Sequence, residues 1–586
     1  MASPPSRQTH AAVASEQKFQ LAHALYAQQR LDEAADACRA ALALAPHHAG
    51  AAHLLGVVAL QTNRPQDAAA CFAKAKALEP NNPTHHSNHG LALLGMGQIP
   101  AAIQAFDDAL KLRADIAEVH CSRADALLRL GRLAEALEGY SRAAILKPEL
   151  AEAHCGRGSV LRPTDAAAAR AAFETALARD PTYAEARYGL ALSLQDLGMS
   201  AEALAAMDVI AAAYPALPDV HYARGIMLAD LNRHDDARAA YERALTLAPK
   251  HADARRSLFR LRLGDGDMPS LARLADEMAA ETTGAEIAAL KDRPVAAFRL
   301  RHDLEQVDWL ATHGYAVEGL ADVRPRLESA CARALASNSK EVLLSAEECA
   351  AIAAFRRQRF MPAPAPVQDM MNPALDVRAI EAAYCGAPTP VVVIDNFLSP
   401  EALNALRTFC FASTVWRREY VNGYLGAFAE DGFISAAHIQ LAAELRERLP
   451  RVLADQRLEQ LWGFKCDPDV ATGINVHADF ARTNLNFWIT PDDCNLDLGA
   501  GGLLVYDKPA PASWTFKEYN HDAAAIVRFL KEQGAVAQRI PYRCNRAILF
   551  DSTLFHETDR VHFKPGYENR RINITCLFGR GGLRTY

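Results

Sequence analysis

Apolar positions recur three and four residues apart from residue 17 to residue 263, the spacing of amphipathic helices. The pattern also repeats on a longer scale. A small residue followed four positions later by Phe, Tyr, Cys or Met occurs at Ala34/Cys38, Ala68/Phe72, Ala102/Phe106, Ala136/Tyr140, Ala169/Phe173, Ala203/Met207 and Ala237/Tyr241. Every step between neighbouring pairs is 34 residues except one of 33. Proline closes most units, at Pro46, Pro80, Pro148, Pro181, Pro215 and Pro249, with Ala114 in the third. Proline cannot continue a helix, so each unit is predicted to be two helices, a turn and a break.

Beyond residue 263 the period is lost. GDGDMPS at 264–270 is a turn-rich boundary, helical stretches follow at 270–280 and 324–336, and MPAPAPVQ at 361–368 reads as an extended linker. From Pro390 the texture becomes that of strands. PVVVIDNFL (390–398) is a buried-strand pattern, with a helix predicted from Ser399-Pro400. WGFKCDP, GINVHADF, NLNFWIT, GGLLVYD, RAILFDS and RRINITCLFG follow as short strands separated by turn residues, which predicts a jelly-roll-like or barrel-like β core.

Composition sharpens this division. The chain has 586 residues, too many for one hydrophobic core. Charged residues are 23% and hydrophobic ones 50%, a globular balance. Lys+Arg is 63 against Asp+Glu 70, a net charge of −7, so no basic excess points to nucleic acid or to an anionic membrane. All five tryptophans lie beyond residue 300 and the alanine-rich first half has none. The twelve cysteines are scattered without a C-x-x-C pair, which reads as reduced thiols rather than a zinc ribbon or disulfide framework. Residues 1–16 lack an apolar targeting segment and are expected to be flexible. No apolar run approaches the ~18 residues of a membrane span. A cytoplasmic protein is the expectation.

The regular period resembles the tetratricopeptide repeat, about 34 residues long. The resemblance covers about seven units over 17–263, with 251–263 as a capping helix. It implies an α-solenoid whose concave groove binds a peptide or protein, or makes a homo-oligomer contact. A Lys/Asn/Arg clamp for acidic tails is absent from the first helices. His86, His120, His154 and His221 recur at unit spacing. Histidines one repeat apart sit ~10 Å from each other in stacked helices, too far to share a metal at ~2 Å per bond. They are expected to fill the slot where the family often has Trp, between the two helices of a unit. In the connector, His302 and Asp303 are neighbours that diverge on a helix and are expected to make a polar contact or cap.

The candidate chemistry lies in the last 200 residues. On a strand, His477 and Asp479 of His477-Ala478-Asp479 face one side, so an imidazole and a carboxylate meet one metal. His556, after the apolar strand of RAILFDSTLFHE, supplies a third ligand; His562 is the alternative. Two His and one carboxylate form the facial triad of non-haem Fe(II) oxygenases. Arg571, Asn573 and Thr575 share one face of the last strand, and Arg570, Ile572, Ile574 and Cys576 the other. The apolar face packs on the core, which points Arg571 inward, where a guanidinium can hold a carboxylate by two parallel hydrogen bonds. Arg570 is the other anchor to consider.

Residues 390–580 therefore resemble the Fe(II)/2-oxoglutarate-dependent dioxygenase superfamily, nearest its prolyl-hydroxylase-like members, and Gly501-Gly502 match the family's paired glycines after H-x-D. The resemblance implies a double-stranded β-helix, iron on His477, Asp479 and His556, and Arg571 on the distal carboxylate of 2-oxoglutarate. Asn475 and Asn573 are expected to assist co-substrate binding. Dioxygen is the co-substrate and ascorbate a candidate reductant; 2-oxoglutarate becomes succinate as the substrate is hydroxylated. Asn486, Trp488 and Tyr506 are expected to pack the barrel, and Asp497 to make a turn.

The expected architecture is multidomain α + β: a flexible 1–16, the array at 17–263, a mainly helical connector at 264–385 and an oxygenase domain with flanking helices at 386–586. Repeats beside an oxygenase suggest hydroxylation of a side chain in a peptide or protein held in the repeat groove. A small-molecule or glycan hydroxylase using the repeats for assembly is the first rival, and a non-catalytic scaffold or sensor the second.

Overall fold

A computed structural model of the chain describes residues 7–580. It divides into two compact units, between Leu247 and Ala248. Among the described residues no helix is long and apolar enough to cross a membrane.

The first unit consists of helix pairs in sequence. The second helix of each pair begins at Leu31, Pro65, Ile99, Leu133, Ala166, Ser200 or His234, which reproduces the repeat spacing. These helices end two residues before the closing Pro or Ala114, because the residue before a proline is pushed out of the helical region. The small residue of each pair, from Ala34 to Ala237, is fully buried, and its partner, from Cys38 to Tyr241, nearly so. The aromatic lies against the first helix of its own unit. A Cβ on Gly56 would sit 2.7 Å from the Phe72 ring, and one on Gly90 2.6 Å from Phe106. Glycine at these positions is what lets the two helices approach.

Two expectations for this region change. The first helix runs from Arg7 to Ala27, so residues 7–16, expected to be flexible, are helical; residues 1–6 lie outside the described residues. The helix expected to cap the array, Ala252–Asp265, groups with the second unit instead. It packs there on the helix Met268–Ala289 and on a strand of the main sheet, because its buried Leu258, Phe259, Leu261 and Leu263 need an apolar surface.

The repeating histidines make a specific bond. Nε2 of His86, His120, His154 and His221 lies 2.8–3.0 Å from the carbonyl oxygen of Pro80, Ala114, Pro148 and Pro215, six residues earlier. Arg187 donates in the same way to Pro181. These side chains satisfy the carbonyl that closes the preceding unit.

In the second unit, helices at Ala297–Thr312, Leu320–Ala336 and Ala346–Arg357 share a core around Leu300, Leu327 and Ile352. Strands β1 (Val295–Ala296) and β2 (Glu341–Val342) form a small ladder beside them. His302 and Asp303 are buried there, 3.2 Å apart, and Asp303 also pairs with Arg299 and Arg356.

Ten further strands follow: β3 (Val391–Ile394), β4 (Arg418–Tyr420), β5 (Tyr424–Phe428), β6 (Leu458–Cys466), β7 (Ala481–Trp488), β8 (Leu503–Pro509), β9 (Ala537–Ile540), β10 (Ala547–Asp551), β11 (Leu554–Thr558) and β12 (Ile572–Arg580). They build a seven-stranded sheet, in the order β3-β10-β7-β12-β6-β5-β4, and a three-stranded sheet, β11-β8-β9. Every pairing is antiparallel. Ser399 caps the helix Pro400–Ala412 by accepting from Ala402 N. The segment 473–480, read above as a strand, is irregular and pairs only through a bridge between His477 and His556.

Candidate metal centre

Two sheets contribute to one narrow cavity of about 20 Å³. Trp462 and Phe464 on β6, Asn484 and Asn486 on β7, and Asn573 and Thr575 on β12 come from the larger sheet; Leu503, His556 and Thr558 come from the smaller. Alternate residues of each strand face inward, as the two-residue period of a strand requires.

His477, Asp479 and His556 meet at this cavity. One ligand atom from each lies within 4.8 Å of the other two, the sole such cluster among the described residues. The backbone fixes this meeting. His477 N donates to His556 O at 3.0 Å, His556 N donates to His477 O at 2.8 Å, and Asp479 N donates to Ser552 O at 3.0 Å. His556 lies on β11, just beyond the apolar strand β10.

The imidazole tautomers follow from their neighbours. His477 Nδ1 lies 2.7 Å from the carbonyl of Asn475, and His556 Nδ1 lies 3.0 Å from that of Leu554. A carbonyl can only accept, so each Nδ1 carries the proton and each Nε2 presents a lone pair. Burial and the nearby His477 push the His556 pKa down to about 3, which keeps it neutral, as a metal ligand must be. Burial raises the pKa of Asp479, against the opposing effects of His477 and the Asn484 hydrogen bond. Asn484 Nδ2 donates to Asp479 Oδ2 at 2.9 Å and orients it. Two imidazoles and one carboxylate, oriented by outer hydrogen bonds, fit an iron(II) ion. Asn484 Oδ1 and Asn486 Oδ1 are buried at the cavity without a partner, so polar capacity remains for a bound group.

Arg571 lies in the same cavity wall, 1% exposed. Its Nε donates to Gly501 O at 2.7 Å, and its Nη1 to Asn573 Oδ1 at 3.0 Å. No carboxylate pairs with it among the described residues. Arg570, the next residue, points the other way and is neutralised by Glu305 and Asp467 at 2.8 Å each. The paired glycines have a steric reason: Gly501 has φ +81°, and a Cβ on Gly502 would fall 1.9 Å from Ile540 O.

Of the remaining expected residues, Asn573 lines the cavity and Asn475 does not. The Asn475 side chain is exposed and accepts from Asn422 Nδ2 at 3.3 Å. Strand alternation, which put it on the His477 face, does not hold in the irregular segment 473–480. His562 is exposed and outside the ligand cluster. Asn486 Nδ2 donates to Thr575 Oγ1, Tyr506 Oη donates to Glu557, and Asp497 Oδ1 accepts from Gly499 N in a turn. Asn484 was not singled out from sequence; its place two residues before Asn486 on one strand face was the available signal.

The family described as tetratricopeptide repeat matches residues 19–83, 87–151, 161–225 and 218–251. No curated protein matches the chain. Among solved structures, the Cut9–Hcn1 hetero-tetramer of APC/C is 16% identical, with a TM-score of 0.37, over 44% of this chain and 48% of that one. A repeat protein from Parabacteroides merdae is 14% identical, with a TM-score of 0.35, over 42% and 97%. YrrB, a repeat protein with an unusual peptide-binding site, is 21% identical, with a TM-score of 0.28, over 32% and 96%. The chain thus spans about half of the first of these. Tetratricopeptide repeats occupy the N-terminal region of about 250 residues, and an antiparallel, sheet-rich unit follows.

Proposed function

We propose that the chain is an Fe(II)- and 2-oxoglutarate-dependent dioxygenase. In this reading its two sheets form a double-stranded β-helix, and it hydroxylates a side chain of a peptide or protein recognised with help from the repeats. One observation carries the reading: a buried guanidinium without a carboxylate partner shares a cavity with two His and one Asp. A buried cation left unpaired is costly, and an anionic co-substrate is the partner that offsets it.

His477, Asp479 and His556 would hold the iron. Iron(II), with 2-oxoglutarate and dioxygen, supplies the oxidising power for breaking a substrate C–H bond. The chain's own part is positional. The carbonyls of Asn475 and Leu554 hold both imidazoles in the ligating tautomer. Asn484 steers the Asp479 carboxylate. Arg571, held in place by Gly501 and Asn573, receives the distal carboxylate of the co-substrate. Trp462, Phe464 and Leu503 shield the cavity from water. The repeats support a peptide or protein substrate, since arrays of this kind present extended binding surfaces.

Purified chain given Fe(II), ascorbate and 2-oxoglutarate should release succinate, and more when substrate is present. A chain that binds no iron, or that keeps its turnover after His477→Ala and Asp479→Ala, defeats the assignment. Mass spectrometry of proteins from wild-type and deletion cells tests the substrate class by seeking the mass of one added oxygen.

A further inference from the structure

A second cavity of the C-terminal unit carries an excess of positive charge. It is an open cleft of about 530 Å³ between the end of the helix Met268–Ala289 and edge strand β4. Its walls include Arg293, Arg299, Arg356, Arg417 and Arg418, and no residue is shared with the metal cavity. Three of these arginines are buried: Arg299 is 5% exposed, Arg356 7% and Arg417 9%.

The buried charges do not balance. Asp303 pairs with Arg299 at 3.0 Å and with Arg356 at 2.9 Å. Arg299 also donates to the carbonyls of Trp416 and Arg417. Among the described residues Arg417 has no carboxylate partner; its Nη2 donates to Gln358 O at 3.3 Å. Arg356 Nε is buried without any hydrogen-bond partner. Arg418 is already neutralised by Glu430 and Asp431. Burial, then the fields of Arg299 and Arg356, push the Arg417 pKa down to about 9. The acidic side chains on the walls are Glu286, half-buried, and Glu419, exposed. Both line the cleft, and their fields act on Arg299. Of the three buried guanidiniums, Arg299 and Arg356 share the one buried carboxylate, and Arg417 pairs with none. A fold gains no stability from a buried cation left unpaired. A ligand that supplies its partner accounts for it.

We propose that this cleft binds a phosphate group, free or on a small phosphate monoester, held by Arg417 and Arg356 beside Arg299. A compact oxyanion supplies the partner that Arg417 lacks, and guanidinium forks match its oxygens.

Calorimetric titration of the full chain tests this with inorganic phosphate and with AMP, against chloride at equal ionic strength. Saturable binding at one per chain is expected for phosphate or AMP and not for chloride; tighter binding of AMP marks a monoester site. Arg417→Gln should weaken binding at least about tenfold, the weight of one charge-assisted hydrogen bond. It should also raise the melting temperature of the ligand-free chain by removing the unpaired buried cation. Ala289→Glu places a carboxylate at a half-buried lining position without touching the arginines; it should also weaken binding and decides the matter if Arg417→Gln fails to fold. The proposal falls if wild-type chain binds neither probe, if chloride binds as well as phosphate, or if Ala289→Glu leaves the affinity unchanged.

Discussion

In the repeat array the decisive contacts stay within about one repeat: Gly56 meets Phe72, and His86 meets Pro80. In the C-terminal unit the site draws on His477, Asp479, His556 and Arg571, brought together by strand pairings far apart in sequence. The array is therefore redundant, and damage to one repeat stays near it. The site has no spare parts.

Losing a proposed metal ligand should be the largest effect. His477→Ala or Asp479→Ala is expected to cut iron retention on the order of 100-fold or more, read as iron per chain after desalting, while the array's helical melting stays put. Equal iron retention would break the contrast between the units.

The neighbours Arg570 and Arg571 should then separate by what they cost. Arg570→Leu strands Glu305 and leaves Asp467 with Arg301 alone, and should destabilise the C-terminal unit by about 3 kcal/mol in denaturant melts. Arg571→Leu strands no carboxylate. It should leave the melt largely intact and raise the 2-oxoglutarate concentration needed for half-maximal turnover by about two orders of magnitude. If the two variants exchange these outcomes, the anchor is Arg570.

Smaller effects belong to the array. Gly56→Ala drives a methyl group into the Phe72 ring and should cost about 1–3 kcal/mol by overpacking, with iron retention unchanged. His86→Ala and His221→Ala should each cost about 1 kcal/mol. The double variant should show the sum, since distant sites add; a surplus would mean that repeats talk to each other over long distances.

What was legible in the sequence follows the same contrast. The array could be read because its signal is local and repeated: a small residue, an aromatic four positions on, a closing proline. The bond from each histidine to that closing carbonyl was not legible, because nothing in the spacing says which acceptor an imidazole finds. In the C-terminal unit the H-x-D motif, the histidine after an apolar run and the two faces of the last strand were visible. The placement of Asn475 was not, since segment 473–480 obeys one bridge rather than a ladder. The hairpin of β4 and β5 and the short β9 lacked a clear alternation. The arginine cleft was invisible for a simpler reason: Arg299, Arg356 and Arg417 come from separate elements, and only packing makes neighbours of them.

The bond six residues back has a consequence for how such an array grows. Its acceptor ends one unit and its donor opens the next. A segment duplicated in frame, closing turn included, arrives holding an acceptor for the unit that follows and a donor for the unit before. The seam travels with the cloth, so the chain can be lengthened by copying without inventing a new joint.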